Sequence, residues 1–216
     1  MQPELQLAGG VQQLNIQADD KQLDLLLQYV QLLKKWNQTY NLTAIEDTNE
    51  IISKHILDSL SVAEYLQGEN IIDVGSGAGL PGIPLAIFCP DKQFTLLDSN
   101  AKKTRFIQQA AIDLGLKNVQ VLHQRVEDFL PIIEANGKAT NEFNTLLSRA
   151  FAASDKLFVS CQQILKCLSE QGRIIFMLGK QNHLEALPNG YNVVDIHSIE
   201  IPNLEAQRHI AIVERN

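Results

Sequence analysis

The apolar run Ile71-Ile72-Asp73-Val74 stops abruptly at Gly75-Ser76-Gly77-Ala78-Gly79, and Leu80-Pro81-Gly82-Ile83-Pro84-Leu85-Ala86-Ile87 follows directly. Few backbones accept that order. It reads as a buried strand, a turn with glycine at alternate positions, and a helix. Glycine takes positive φ without a Cβ penalty and lets a ligand lie against bare backbone. A helix N-terminus just behind such a turn offers unpaired N–H groups to a polar or anionic ligand. An adenine-containing cofactor is therefore expected on this turn.

Spacing separates the cofactors. A dinucleotide site uses G-x-G-x-x-G after a strand. Here the glycines fall at Gly75, Gly77 and Gly79, and Leu80 occupies the third-glycine place of the dinucleotide pattern. An acid opening the motif, with glycines at alternate positions, resembles the first motif of S-adenosylmethionine-dependent methyltransferases. A second strand, Phe94-Thr95-Leu96-Leu97-Asp98, ends in an acid about twenty residues on, where a carboxylate can hold both ribose hydroxyls. The plainer role for Asp98 is an N-cap for a helix starting near Ala101, which Ser99 or Asn100 can also supply.

The rest of the chain builds around that unit. Strands are expected near 71–75, 93–98, 118–122, 144–148 and 172–178, with helices near 82–89, 101–114 and 154–169. This alternation is that of a parallel, doubly wound sheet. Tyr191 to Glu200 and Arg208 to Glu214 read as two further strands with no room for a crossover helix, so they should pair antiparallel. Upstream, Leu23, Leu26, Leu27, Val30, Leu33 and Trp36 recur at helical spacing behind an Asp19 or Asp20 cap. A linker from Asn37 to Asp47 then leads to a helical stretch from Glu50 to Leu66, with Ile52, Ile56, Leu60 and Ala63 on one side. The expected fold is α/β, a Rossmann-like core over 67–216 with seven mostly parallel strands and an antiparallel last strand, capped by helices over 1–66.

Composition narrows the function classes. A chain of 216 residues with 45% hydrophobic and 20% charged residues suits one α/β domain with an appendage. No apolar run approaches the roughly 20 residues a bilayer span needs. The start, Met1-Gln2-Pro3-Glu4, lacks the basic and apolar regions of a signal peptide. Cys89, Cys161 and Cys167 lack metal-ligand spacing and read as reduced packing residues, so a cytoplasmic protein without a metal is expected. A net charge of −7 argues against loose electrostatic binding of nucleic acid, DNA included, but leaves room for a local basic face.

Blocks along nearly the whole chain from Leu23 resemble the RsmG family, also called GidB, bacterial methyltransferases of small-subunit ribosomal RNA. They are Trp36-Asn37 with Tyr40-Asn41-Leu42-Thr43, His55-Ile56-Leu57-Asp58-Ser59, Asp73 through Pro84, and Leu97-Asp98-Ser99. Lys102-Lys103 with Arg105-Phe106, Arg125-Val126-Glu127, Ser148-Arg149-Ala150-Phe151 and Arg208-His209 continue the series. The resemblance implies transfer of a methyl group from S-adenosylmethionine to N7 of one guanine, in a conserved 16S rRNA loop near the decoding site. It also implies cofactor contacts from Gly75, Gly77, Gly79 and Leu80, a ribose contact from Asp98, and adenine contacts from Val126 and Glu127.

The chemistry agrees. Guanine N7 has a lone pair and no proton, so it can attack the methyl group in line without a general base. The chain has no Pro-Cys nucleophile, only the reversed Cys89-Pro90. Nor does it have an Asn/Asp-Pro-Pro-aromatic turn after the fourth strand, where Ser148-Arg149-Ala150-Phe151 stands instead. Arg149 at that rim is either a structural ion pair or a functional cation for the methionine carboxylate or guanine O6. It cannot donate to N7, as arginine does in its usual reading of guanine. Recognition should then fall on the Watson–Crick edge, with Asp58 the candidate carboxylate; capping, or bonding to His55, is its plainer role. Lys102, Lys103 and Arg105 flank the cleft as phosphate contacts, joined by Arg208, whereas Lys34-Lys35 reads as a solvated face. Phe151 can stack on an unpaired base or belong to the core.

The chain departs from the family at Leu178-Gly179-Lys180, which inverts a Lys-Gly pair, and at Gln207, which replaces an acid; Lys180 and Gln207 are assigned no role. The expected partner is 16S rRNA or the small subunit, met by a monomer. A methyltransferase acting on another RNA or a small molecule, an NAD oxidoreductase, and a cofactor-binding assembly factor remain as alternatives. Leu80 weighs against the NAD reading.

Overall fold

The computed structural model describes residues 2–131, 142–149, 158–179 and 187–216. Its strands are β1 (Asn70–Val74), β2 (Gln93–Asp98), β3 (Val119–His123), β4 (Phe143–Ser148), β5 (Leu168–Leu178), β6 (Tyr191–Ile199) and β7 (Arg208–Arg215). They form one sheet in the order β3-β2-β1-β4-β5-β7-β6. Strands β1 to β5 pair in parallel, and β7 enters antiparallel between β5 and β6. The chain steps from β1 out to β3, then returns to the other side of β1 with β4. Their carboxyl ends thus flank the crevice where open α/β sheets take ligands.

Side chains alternate across the sheet. Ile71, Phe94, Leu96, Leu147, Ile175 and Ile210 face one core together with the N-terminal helices. Ile72, Val74, Leu97, Leu146, Ile174 and Phe176 face the other, beneath Ile164 and Leu165 of the short helix α7 (Gln162–Lys166). The first core also takes in α5 (Gly82–Phe88) and α6 (Ala101–Asp113).

The N-terminal region departs most from the expected elements. A helix α1 (Pro3–Gln13), not among the expected elements, buries Leu7 and Val11. Helix α2 (Asp20–Tyr40) starts at an Asp19–Gln22 capping box as expected. It continues to Tyr40, four residues into the expected linker, where Trp36 packs on Tyr40 one turn later and on Phe106 of α6; residues 41–47 are non-helical as expected. Asn41 ends it at φ 51°, a left-handed cap that suits asparagine. The single helix expected over 50–66 is broken into α3 (Thr48–Ile51), a π-helical segment Ile52–Leu57, α4 (Asp58–Leu60) and a 3-10 turn Ala63–Tyr65.

Downstream, β5 begins at Leu168, four residues early. Leu168 already pairs with Phe143 across an irregularity in the β4 register, so α7 ends at Lys166. Among the described residues no helix is long and apolar enough to cross a membrane.

Candidate active site

The glycine turn is tied to the end of β2. Gly75 and Ser76 both donate their amides to the Leu97 carbonyl, at 2.8 and 3.1 Å. Gly75, Gly77 and Gly79 take φ of 73°, 60° and 84°, a region closed to most side chains. A Cβ on Gly77 would make only ordinary contacts, 3.9 Å from Lys103 Nζ and 4.0 Å from the Gly75 carbonyl, so no packing demand fills this side of the backbone. On Gly79 it would come within 2.7 Å of Ile83 Cγ1, so that glycine serves the packing of the turn on α5. Leu80 is buried, and its amide donates to the Ser76 carbonyl at 2.8 Å.

Asp98 locks this turn. Its Oδ2 accepts from the Gly77 amide and its Oδ1 from the Asn100 amide, each at 2.8 Å. Asn100 is the N-cap of α6, accepting from the Lys102 and Lys103 amides, so capping does not fall to Asp98. An ionised carboxylate has about four lone-pair sites, so both oxygens of Asp98 keep capacity for hydroxyl donors.

Behind the turn lies Asp73, whose Oδ2 accepts from the Gly82 amide at 3.0 Å. Its Oδ1 is buried without a partner among the described residues. Burial pushes this carboxyl up to about 7, against the pull of the Gly82 amide and of Arg149. From α2, Tyr29 donates its hydroxyl to the Ala78 carbonyl at 2.6 Å. Burial drives that phenol far above its usual range, so it is a permanent donor.

A second cluster brings together three separated blocks of sequence. Asp58, 4% exposed, accepts at Oδ1 from Arg208 Nε at 2.9 Å and lies 3.6 Å by Oδ2 from Arg149 Nη1. The ion pair weighed as the plainer role of Arg149 is thus present. Burial raises the Asp58 carboxyl, and Arg149 and Arg208 pull it back. The structure therefore pairs Asp58 with two arginines and not with His55, the plainer partner expected from the sequence.

His55 is engaged elsewhere. Its Nδ1 lies 3.1 Å from the Lys54 carbonyl, which can only accept, so Nδ1 carries the proton. Nε2 then accepts from the Thr43 hydroxyl at 2.8 Å. Thr43 is itself held by Asn37 Oδ1, which accepts from its amide. Burial and the Arg149 charge push the His55 imidazole down to about 4. The Asn37, Thr43 and His55 blocks are one hydrogen-bonded chain against the arginine cluster.

The remaining candidates lie around this centre. Val126 is buried after β3 in a 3-10 turn, Val126–Asp128. Glu127 is exposed, and a hydrogen bond from Ser160 holds its carboxyl below the usual range. Lys102 and Arg105 are exposed on α6, Lys103 is half-buried beside Gly77, and Arg208 is half-buried. Phe151 and Lys180 lie outside the described residues. Gln207 is exposed, and its carbonyl accepts from Arg208 Nη1 at 3.2 Å.

With this geometry in place, the comparison with known proteins decides the family. The family model described as GidB, rRNA small subunit methyltransferase G, matches residues 22–211. The chain belongs to the GidB family. GidB relatives named ribosomal RNA small subunit methyltransferase G include one from Nitrosococcus oceani, 47% identical over 94% of this chain and 91% of that protein. Another, from Marinobacter nauticus, is 42% identical over 97% of this chain and 94% of its own length.

Solved structures confirm the fold alone. This GidB chain superposes on a SAM dependent methyltransferase from Aquifex aeolicus with a TM-score of 0.58 at 14% identity, covering 80% of this chain and 96% of that one. For TrmN from Thermus thermophilus the TM-score is 0.56 at 17% identity, over 76% and 53%.

Two features of this GidB site escaped the sequence. Tyr29 sits on the buried face between Leu26 and Leu33, and a buried phenol needs an acceptor, a signal that was available. The sharing of Asp58 by Arg149 and Arg208 was not: 150 residues separate Asp58 from Arg208.

Proposed function

We propose that this chain transfers a methyl group from S-adenosylmethionine to N7 of a guanine in a 16S rRNA loop near the decoding site. The observation that carries the reading is the GidB match over residues 22–211, laid on a glycine turn that is hydrogen-bonded to Asp98. The cofactor suits the residues present. Asp98 keeps lone pairs for the ribose hydroxyls, Gly77 leaves its backbone bare, and the orphaned Asp73 Oδ1 matches an ammonium group. Gly75 and Gly79 shape the same cradle, Leu80 backs it from the core, and Val126 and Glu127 border the adenine side.

When bound, S-adenosylmethionine supplies a methyl group on a positively charged sulfur. Guanine N7 brings a lone pair and no proton, so no side chain has to act as base. That suits a site where His55, Asp58 and Asp98 are already engaged by protein donors or acceptors. Catalysis then rests on position and electrostatics. In this reading Arg149, which shares the Asp58 carboxylate with Arg208, donates to guanine O6 and leaves N7 open. Lys102, Lys103, Arg105 and Arg208 meet phosphates, and Phe151 stacks on the unstacked base. We assign 1–66 as the cap and 67–216 as the catalytic core of a cytoplasmic monomer that meets neither DNA nor membrane.

The test is incubation of the purified protein with labelled S-adenosylmethionine and small subunits from cells lacking this gene, followed by mapping of the label. A single N7-methylguanine in one loop, absent with Asp98→Ala, is the expected result. Cofactor binding without label on rRNA would instead indicate another substrate or an assembly factor.

A further inference from the structure

Asp58 is an expensive way to hold a fold together. Burying one carboxylate with two guanidinium groups incurs a desolvation penalty that well-packed apolar side chains avoid, so such clusters are poor stabilisers in themselves. What this one achieves is geometric. Arg149 leaves the end of β4 and Arg208 opens β7, and β5 lies between those strands. Two long cationic side chains so placed would repel and swing apart. Asp58 meets one at each oxygen. Arg208 is pinned twice, through Nε by Asp58 and through Nη1 by the Gln207 carbonyl, which fixes the plane of its guanidinium.

Asp58 begins the short helix α4. It follows the π-helical segment Ile52–Leu57, a local irregularity common at functional sites. Ser59 and Ser61 donate their hydroxyls to the His55 and Asp58 carbonyls, at 2.5 and 2.7 Å, and so satisfy acceptors in and just after that segment. One carboxylate against two guanidinium groups leaves a net positive charge at the rim, and both arginines remain about a quarter exposed, at 27% and 24%.

We propose that Asp58 is a positioning residue that sets Arg149 and Arg208 as one two-pronged unit, Arg149 toward the target guanine and Arg208 toward an RNA phosphate beside it. This rests on the rRNA methyltransferase reading above. It differs from direct recognition by Asp58, because that carboxylate is buried behind the two arginines it meets and acts through them.

The experiment is a double-mutant cycle on the full chain: wild type, Asp58→Asn, Arg208→Ala and the pair. Initial rates on small subunits give kcat and KM, and binding of a fluorescent loop RNA is followed alongside. Asp58→Asn is expected to lose about tenfold in kcat/KM, mostly through KM, and the pair to lose at least about fivefold less than the product of the single losses. Losses that multiply within about twofold would overturn the proposal, as would full activity in Asp58→Asn. A merely structural Asp58 would lower the melting temperature and leave kcat and KM per folded molecule unchanged. Should Asp58→Asn not fold, Arg208→Lys keeps the charge but lacks the Nε–H that Asp58 accepts. It should reproduce the loss, and unchanged rates there would sink the idea. Absence of methylation by the wild type would count against the enzymatic reading alone, because the RNA-binding cycle still reports the same non-additivity.

Discussion

Gly77 and Asp98 meet through one hydrogen bond, and that bond joins the two sequence signals that pointed to a cofactor. The glycines of the turn answer to different demands, which yields a prediction. Gly77→Ala pays only for positive φ, about 1 kcal/mol and a melting shift of about 2–4 °C, yet should weaken S-adenosylmethionine binding about tenfold by covering the bare backbone. Gly79→Ala adds the clash with Ile83 and should cost more stability. Thermal melts and cofactor titration of both variants check this. The buried titratable groups give a second prediction. His55 is pushed down to about 4, so its contribution is fully present above its unfolded value near 6.5 and lost as pH falls toward 4. Asp73 is pushed up to about 7, so its contribution is present below 3.8 and lost as pH rises through 7. The two slopes oppose each other between about 4 and 6.5. Relative to wild type, His55→Gln should lose the rising contribution and Asp73→Asn the falling one, as read from denaturant melts across that range; parallel curves would refute the assignment. Asp98 was legible because a strand-ending acid follows the glycine turn at a telling distance. The two arginine partners of Asp58 were not legible, because a carboxylate's partner is set by what folds against it.

At the scale of elements, the parallel strands and the antiparallel tail were readable because both follow from local apolar runs and connection lengths. The π-helical segment was not, since its sequence suits an ordinary helix. It is held by what packs on it: Gln6 of α1 donates to the Asn49 carbonyl and the Ser53 hydroxyl at 2.9 and 2.8 Å, and Leu7 is fully buried. Gly10 allows that approach, since a Cβ there would lie 2.3 Å from Leu57 Cδ1. Glycine to alanine within a helix ordinarily gains about 1 kcal/mol. Here Gly10→Ala should instead destabilise by about 1–3 kcal/mol, because Leu57 is fully buried and has nowhere to turn. Urea melts of the variant decide the sign, and a stabilised protein would show that α1 is only loosely docked.

For the whole molecule, charge is the governing quantity. A chain carrying −7 overall must meet RNA through local basic groups, which we assign to Lys102, Lys103, Arg105 and Arg208. If those side chains make the phosphate contacts, the logarithm of affinity should fall with the logarithm of salt at a slope of about −3, at roughly 0.7–0.9 per contact. Binding to naked 16S rRNA should be much weaker than to the assembled subunit, where shape adds to charge. Affinities measured from low to moderate salt on both targets check this; a slope near −8, or equal affinities, would place contacts well beyond this face.

The order of residues settled what depends on neighbours in the chain: the strand-turn-helix at Gly75, the acid that ends β2, the cap of α2, and the antiparallel tail. Periodicity and φ preference are local and survive without a partner. Folding settled what depends on distance in space. Tyr29 reached the glycine turn, Asn37, Thr43 and His55 became one chain of bonds, and Asp58 came to lie between two arginines from strands that never touch. A buried polar group takes the nearest partner that spares it an unpaired state, and which groups are nearest is known only once the sheet and its cap have closed on each other.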